Sequence, residues 1–248
     1  MCVYVAYIVD VRSAYFVTLG NSNLNAKLMA PSADIEEILF KPSIDLMALR
    51  DFIGEEGDFG SGCFQDIHWL NTPGPIYTTC TDNCGTGQIE AINNVGGDED
   101  YREVIFKQPF TKEELKATAI AGMVDAFGSY YIDGSQYWNE DNVLEWWNKS
   151  KERVDYIIDR YNEELNLPEI PHISTWEIGG KSFTGRLYGP VRPVPENYKY
   201  WLDFYQQSMK SYLEWYVCKL HGTDIVLPPF IFDWSRKERL DKVFAGRS

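Results

Sequence analysis

The feature that most constrains this chain is a run of large side chains at helical spacing in its C-terminal half. Tyr198, Trp201, Tyr205, Met209, Tyr212 and Tyr216 recur at intervals of three or four, which puts all six on one face of an α-helix. The spacing predicts a helix over residues 196–220, about seven turns long, with Gly222 placed to end it. A core-facing stripe is the ordinary reading. The functional one is that some of these rings anchor a partner, as Tyr and Trp often do. Aromatic faces also stack on sugars, but no two acids stand out as a glycosidase pair.

Helical patterns extend through the rest of that half. Thr111-Lys112-Glu113-Glu114 is a capping box, in which hydroxyl and carboxylate satisfy orphan N–H groups, and it opens a helix over residues 111–127. Val143, Trp147, Val154, Ile157, Ile158, Tyr161 and Leu165 form a stripe that predicts a helix over residues 140–165. Gly179-Gly180 between residues 172–178 and 181–187 marks a hairpin. Residues 225–232 read as a short buried strand and 235–244 as a final basic helix.

The first 108 residues are different in kind. Residues 3–9 and 14–19 are rich in Val, Ile, Tyr and Phe and read as strands. Residues 33–52 are helical, broken near Pro42 where the ladder loses a donor. Glycine and proline are so dense from residue 54 to 97 that only short strands fit, at 76–79 and 88–92, with another at 103–106. No low-complexity linker or internal repeat separates the two parts. We therefore expect one α+β domain over residues 1–248, with an antiparallel or mixed sheet, several helices and one long C-terminal helix. Its parts are an acidic, Gly- and Cys-rich segment (1–108) and a helix-rich one (109–248).

Charge narrows the function. The chain of 248 residues carries 37 acidic and 23 basic side chains, a net charge of −14. That surplus repels phosphate and argues against nucleic-acid or anionic-membrane partners. It is also uneven: residues 1–108 hold 16 acids and six bases, whereas 109–248 hold 21 and 17. Two triplets, Glu55/Glu56/Asp58 and Asp98/Glu99/Asp100, fall in glycine-rich loops. Either they are solvated surface or they form a docking patch that steers a basic protein; neither matches a calcium-binding EF-hand loop. No window is apolar enough to span a membrane. The apolar start lacks a basic leader and is interrupted by Asp10 and Arg12. With five cysteines, an odd number, a reducing cytoplasm is expected.

Three further patterns carry potential chemistry. Cys63, His68, Cys80 and Cys84 are the ligand types of a structural zinc site. Their C-x4-H and C-x3-C spacings depart from the two-residue knuckle, and the plainer reading is that Cys63 and Cys80 are small buried hydrophobes and His68 packs beside Trp69. Cys84 on its glycine turn would serve as a nucleophile with His68 or His172 as base; Asp82-Asn83-Cys84-Gly85 is equally an ordinary turn. Gly180-Lys181-Ser182 resembles the end of a phosphate loop, but Thr175 stands where the first glycine belongs, and Lys181 falls in a strand. Asn148-Lys149-Ser150 lies within a helix and is set aside as a glycosylation acceptor. The expectation is a binder without catalysis, cofactor or metal: an acidic inhibitor of a basic partner, as an immunity protein neutralises a toxin. The alternative is a small hydrolase built on Cys84 with a histidine, or on a carboxylate pair in a Trp-lined cleft.

Overall fold

The computed structural model describes residues 31–54, 59–166, 174–178, 181–185 and 195–221. The strands expected at 3–9, 14–19 and 225–232 and the helix at 235–244 lie outside the described residues. Helices α1 (Ala33–Leu39) and α2 (Leu46–Ile53) flank Pro42, where the break was expected. The second helix is started by Asp45, whose carboxylate accepts the N–H groups of Met47 (2.9 Å) and Ala48 (3.2 Å), satisfying two orphan donors of the first turn. There follow β1 (Tyr77–Thr78), α3 (Thr86–Glu90), β2 (Val95–Gly97), β3 (Glu103–Ile105), α4 (Lys112–Val124) and β4 (Tyr130–Tyr131). The chain continues through α5 (Glu140–Asn148), α6 (Ser150–Asn166), β5 (Ser174–Ile178), β6 (Lys181–Gly185), α7 (Pro195–Gln207) and α8 (Met209–His221).

This is an α+β fold. Among the described residues the strands form three separate antiparallel pairs, β1 with β4, β2 with β3 and β5 with β6, in place of one continuous sheet. The expected strand at 88–92 is largely helix α3. The N–H of Gly87, in its first turn, donates to Glu103 Oε1 at 2.7 Å, so an anion at the helix start outweighs the strand preference of Ile89 and Ile92. Both long helices are divided. Residues 140–165 split at Lys149, and 196–220 split at Ser208, where α7 packs on α6 while α8 packs on α5.

The capping box at Thr111 is half reciprocal. Its hydroxyl accepts the Glu114 N–H at 3.2 Å, but the Glu114 carboxylate accepts the N–H of Phe110 (2.7 Å) and pairs with Lys107 (2.5 Å). At the start of α5, Asn139 and Asn142 exchange side-chain to backbone hydrogen bonds of 3.0 and 2.8 Å and close a complete box.

The aromatic stripe is core. Tyr198, Trp201, Tyr205, Met209, Tyr212 and Tyr216 are all buried, in one cluster with Ile35, Leu39, Phe106, Trp147 and Ile157. Trp201 stacks on Phe106 with centroids 5.5 Å apart. That seat requires Gly96, because a Cβ there would stand 2.9 Å from Trp201 Cε3.

The least regular stretch is among the most deeply buried. Leu70–Thr79, though rich in proline and glycine, is buried along its whole length. Its backbone is satisfied by amide side chains, as buried irregular chain must be. Asn71 Oδ1 accepts the N–H groups of Thr78 (3.2 Å) and Ile105 (2.9 Å), while its Nδ2 donates to the carbonyls of His68 and Thr78. Gln108 accepts the Ile76 N–H (3.1 Å) and donates to the carbonyls of Thr72 and Ile76.

Candidate functional site

The β2–β3 hairpin ends in a three-residue tip, Glu99-Asp100-Tyr101, built around Asp98. The Asp98 carboxylate accepts the N–H groups of Asp100 (2.9 Å) and Arg102 (2.8 Å), the Arg102 guanidinium (2.8 Å) and the His68 ring (3.1 Å). Burial alone would raise its pKa, but these donors hold it below the ordinary carboxylate value. His68 Nδ1 accepts the Leu70 N–H, which makes Nε2 the protonated nitrogen facing Asp98. Tyr101 closes the tip at φ 64°, the single non-glycine residue of positive φ among the described residues. Hairpins of this length place a left-handed residue there, and glycine or asparagine is usual.

The tip stands between two open grooves. On one side it faces α6. Glu99 donates its N–H to the Tyr156 hydroxyl at 2.9 Å, and that hydroxyl donates back to the Glu99 carboxylate. The groove, of about 710 Å³, is lined by Glu99, Tyr101, Asp159, Arg160, Asn162, Glu163 and Glu164. Arg160 pairs with Glu163 (2.5 Å) and Glu164 (3.1 Å). Glu164 is buried in its pair with Arg160, whereas Glu99, Asp159 and Glu163 are exposed, so among the described lining residues three carboxylates reach solvent beside one guanidinium.

On the other side lies a groove of about 580 Å³, lined by Glu99, Asp100, Tyr101, Arg102, Cys80, Thr81, Asn83 and Phe127. Its far wall is a stapled pair of turns. Asp82 accepts the N–H groups of Cys84 and Ala126, each at 2.9 Å, and Asp125 accepts those of Asp82 (2.9 Å) and Ser129 (2.6 Å). Both carboxylates are buried. Behind them Glu103, 1% exposed, accepts the Tyr130 hydroxyl at 2.6 Å and the Gly87 N–H. A side chain at position 87 would collide with it, since a Cβ there would lie 2.4 Å from Glu103 Oε2. Burial raises the Glu103 pKa to about 7; its two hydrogen bonds oppose the shift, and the charges of Asp82 and Asp125 add to it.

The residues singled out by sequence meet different fates. Glu55, Glu56, Asp58 and His172 lie outside the described residues. Asp98 is withdrawn from the surface as the hub of the hairpin, because its four donors need it inside; Glu99 and Asp100 remain exposed. Among the described residues no three His, Cys, Asp or Glu side chains converge as a metal site, so Cys63, His68, Cys80 and Cys84 are not assembled into one. Nor, among the described residues, does an imidazole pair with the Cys84 thiol. Burial, and then Asp82, push the Cys84 thiol pKa up, while both His68 ring nitrogens are engaged by Asp98 and Leu70.

Sequence reasoning missed Tyr101, Phe127, Glu103, Asp159 and Glu163. The last two stand four residues apart in a helical pattern and were legible as one face. Phe127, an apolar residue in the turn Asp125-Ala126-Phe127-Gly128, carried a weaker signal, and Tyr101 carried none. No protein-family model, curated protein or solved structure matches this chain. No described helix is long and apolar enough to cross a membrane.

Proposed function

We propose that this protein binds a basic protein partner through the surface around the β2–β3 hairpin tip, and acts in the cytoplasm as that partner's inhibitor. The observation that carries the reading is the groove between the tip and α6, where the exposed carboxylates of Glu99, Asp159 and Glu163 stand beside one guanidinium among the described lining residues. Such a wall complements lysine and arginine side chains and raises the rate of encounter with them. A toxin whose active site is itself cationic, such as a nuclease, is the concrete case: covering that site with carboxylates blocks it.

The test is to challenge the purified chain with the products of its neighbouring genes and to measure association by stopped flow at two ionic strengths. Asp100→Lys with Asp159→Lys is expected to slow association and flatten its salt dependence while leaving the thermal melt in place. A partner of net negative charge, or an unchanged on-rate in the double variant, overturns the proposal.

A further inference from the structure

Phe127 is 68% exposed, the highest value among the large hydrophobic side chains described. An isolated exposed phenylalanine is commonplace on a mobile loop, but this one is presented by a fixed turn. The Gly128 N–H closes the turn on the Asp125 carbonyl at 3.2 Å. The N–H groups of Ala126 and Ser129, one on each flank, end on the buried carboxylates of Asp82 and Asp125. The Ser129 hydroxyl donates to the Cys80 carbonyl at 2.8 Å. An exposed ring on a turn already ordered loses little further entropy when a partner covers it. Met123 and Val124, 47% and 41% exposed, extend the apolar area along the last turn of α4.

The surroundings decide what covers the ring. Phe127 edges the groove that also holds Glu99, Asp100, Tyr101 and Arg102, and Glu99 and Tyr101 line the acidic groove on the other side of the tip as well. The apolar ring is thus continuous with the carboxylate wall. A second copy of this chain would bring its own −14 charge to that wall, so like-charge repulsion disfavours self-association.

We propose that Phe127 is the central apolar anchor of the docking surface, entering a recess on a basic partner whose rim is formed by lysine or arginine. The proposal rests on the binding function above and adds its geometry: carboxylates from α6 and the hairpin tip meet the rim, and the phenyl ring fills the recess. Energy at such interfaces concentrates in a few well-packed anchors ringed by polar contacts.

The experiment places the photoreactive residue p-benzoylphenylalanine in the full-length chain at position 127 and, as control, at the equally exposed Met47, which lines neither groove. The cross-linked protein is identified by mass spectrometry, purified, and titrated with the parent chain and with Phe127→Ala. The expected result is a heterologous adduct from position 127 alone, to a protein of net positive charge. Phe127→Ala then weakens binding by about 30-fold or more, mostly through dissociation, with the melt unchanged. An adduct between two copies of this chain, equal adducts from both positions, no adduct from 127, or an unchanged affinity in Phe127→Ala overturns the anchor. If a basic partner is slowed by Asp100→Lys with Asp159→Lys yet indifferent to Phe127→Ala, the anchor alone falls. A partner of net negative charge sinks both proposals.

Discussion

Replacing Glu103 by glutamine removes one buried negative charge at almost constant shape. The carboxylate sits behind Asp82 and Asp125 with its pKa raised from 4.5 to about 7, first by burial. A rise of that size corresponds to about 3 kcal/mol of free energy that the folded state spends on keeping the group ionised. The sign follows from proton binding. Between pH 4.5 and 7 the folded chain holds a proton that the unfolded chain releases, so stability from this group is greatest below pH 4.5. It declines as the pH rises and is level above about 7. Glutamine keeps one hydrogen bond and reverses the other: its Oε1 accepts the Gly87 N–H, and its Nε2 donates to the Tyr130 hydroxyl oxygen, which is the donor in the parent. Urea denaturation of both proteins at pH 5, 6, 7 and 8 isolates the effect, because other titrating groups cancel in the difference. Glu103→Gln should match the parent near pH 5 and exceed it by about 2–3 kcal/mol at pH 8. Parallel pH profiles, or a variant less stable at pH 8, would refute the account of a strained buried carboxylate.

Other outcomes follow from the packing. Trp201→Ala should lower stability by about 3–5 kcal/mol in denaturant titration, as large-to-small changes at a fully buried ring do; a melt like the parent's would mean that the stripe does not form the core. Asp98→Asn should cost about 2–3 kcal/mol near pH 7, since four donors lose a charged acceptor. The Asp98 carboxyl has a lowered pKa, so its contribution exists above the ordinary carboxylate range and vanishes as pH falls through the folded value; melts at successively more acid pH should bring parent and variant together. Tyr101→Gly should raise stability by about 0.5–1 kcal/mol, because relief of left-handed strain exceeds the added chain entropy. A destabilised variant would show that the ring's packing outweighs the strain.

How much of this was legible in the sequence depends on whether a residue's role is local. Pro42 and the caps at Asp45 and Thr111 act on their own neighbours, and the break at Pro42 and the capped start at Thr111 followed from them. The aromatic stripe was readable because its partners need only be apolar. By contrast, the helix at Thr86–Glu90 is fixed by Glu103, sixteen residues beyond Gly87, and no local preference of Ile89 or Ile92 reveals that. The acidic triplet Asp98/Glu99/Asp100 misled for a related reason. Three adjacent acids look alike in one dimension, yet the hairpin turns one inward to gather four donors and leaves two in solvent. Tyr101 escaped entirely, since positive φ at tyrosine is imposed by the closure of the hairpin on Asp98. The cysteines and His68 have suitable chemistry and unsuitable company, which only the fold discloses.

The buried irregular segment at Leu70–Thr79 has a consequence for synthesis on the ribosome. Its carbonyl at Pro73 receives the Tyr212 hydroxyl at 2.7 Å, and the nearby carbonyls of Val95 and Gly97 receive Asn197 Nδ2 and the Tyr198 hydroxyl at 2.7 and 3.1 Å. These acceptors emerge more than a hundred residues before their donors. Until α7 and α8 leave the exit tunnel, the part around Leu70–Thr79 and the β2–β3 hairpin keeps polar backbone and apolar surface open to water. It cannot complete its interior in the order in which it is made. The two unlike parts of this chain therefore mature together, once α7 and α8 are made, and a nascent chain stalled before residue 195 lacks the surface that seals its centre.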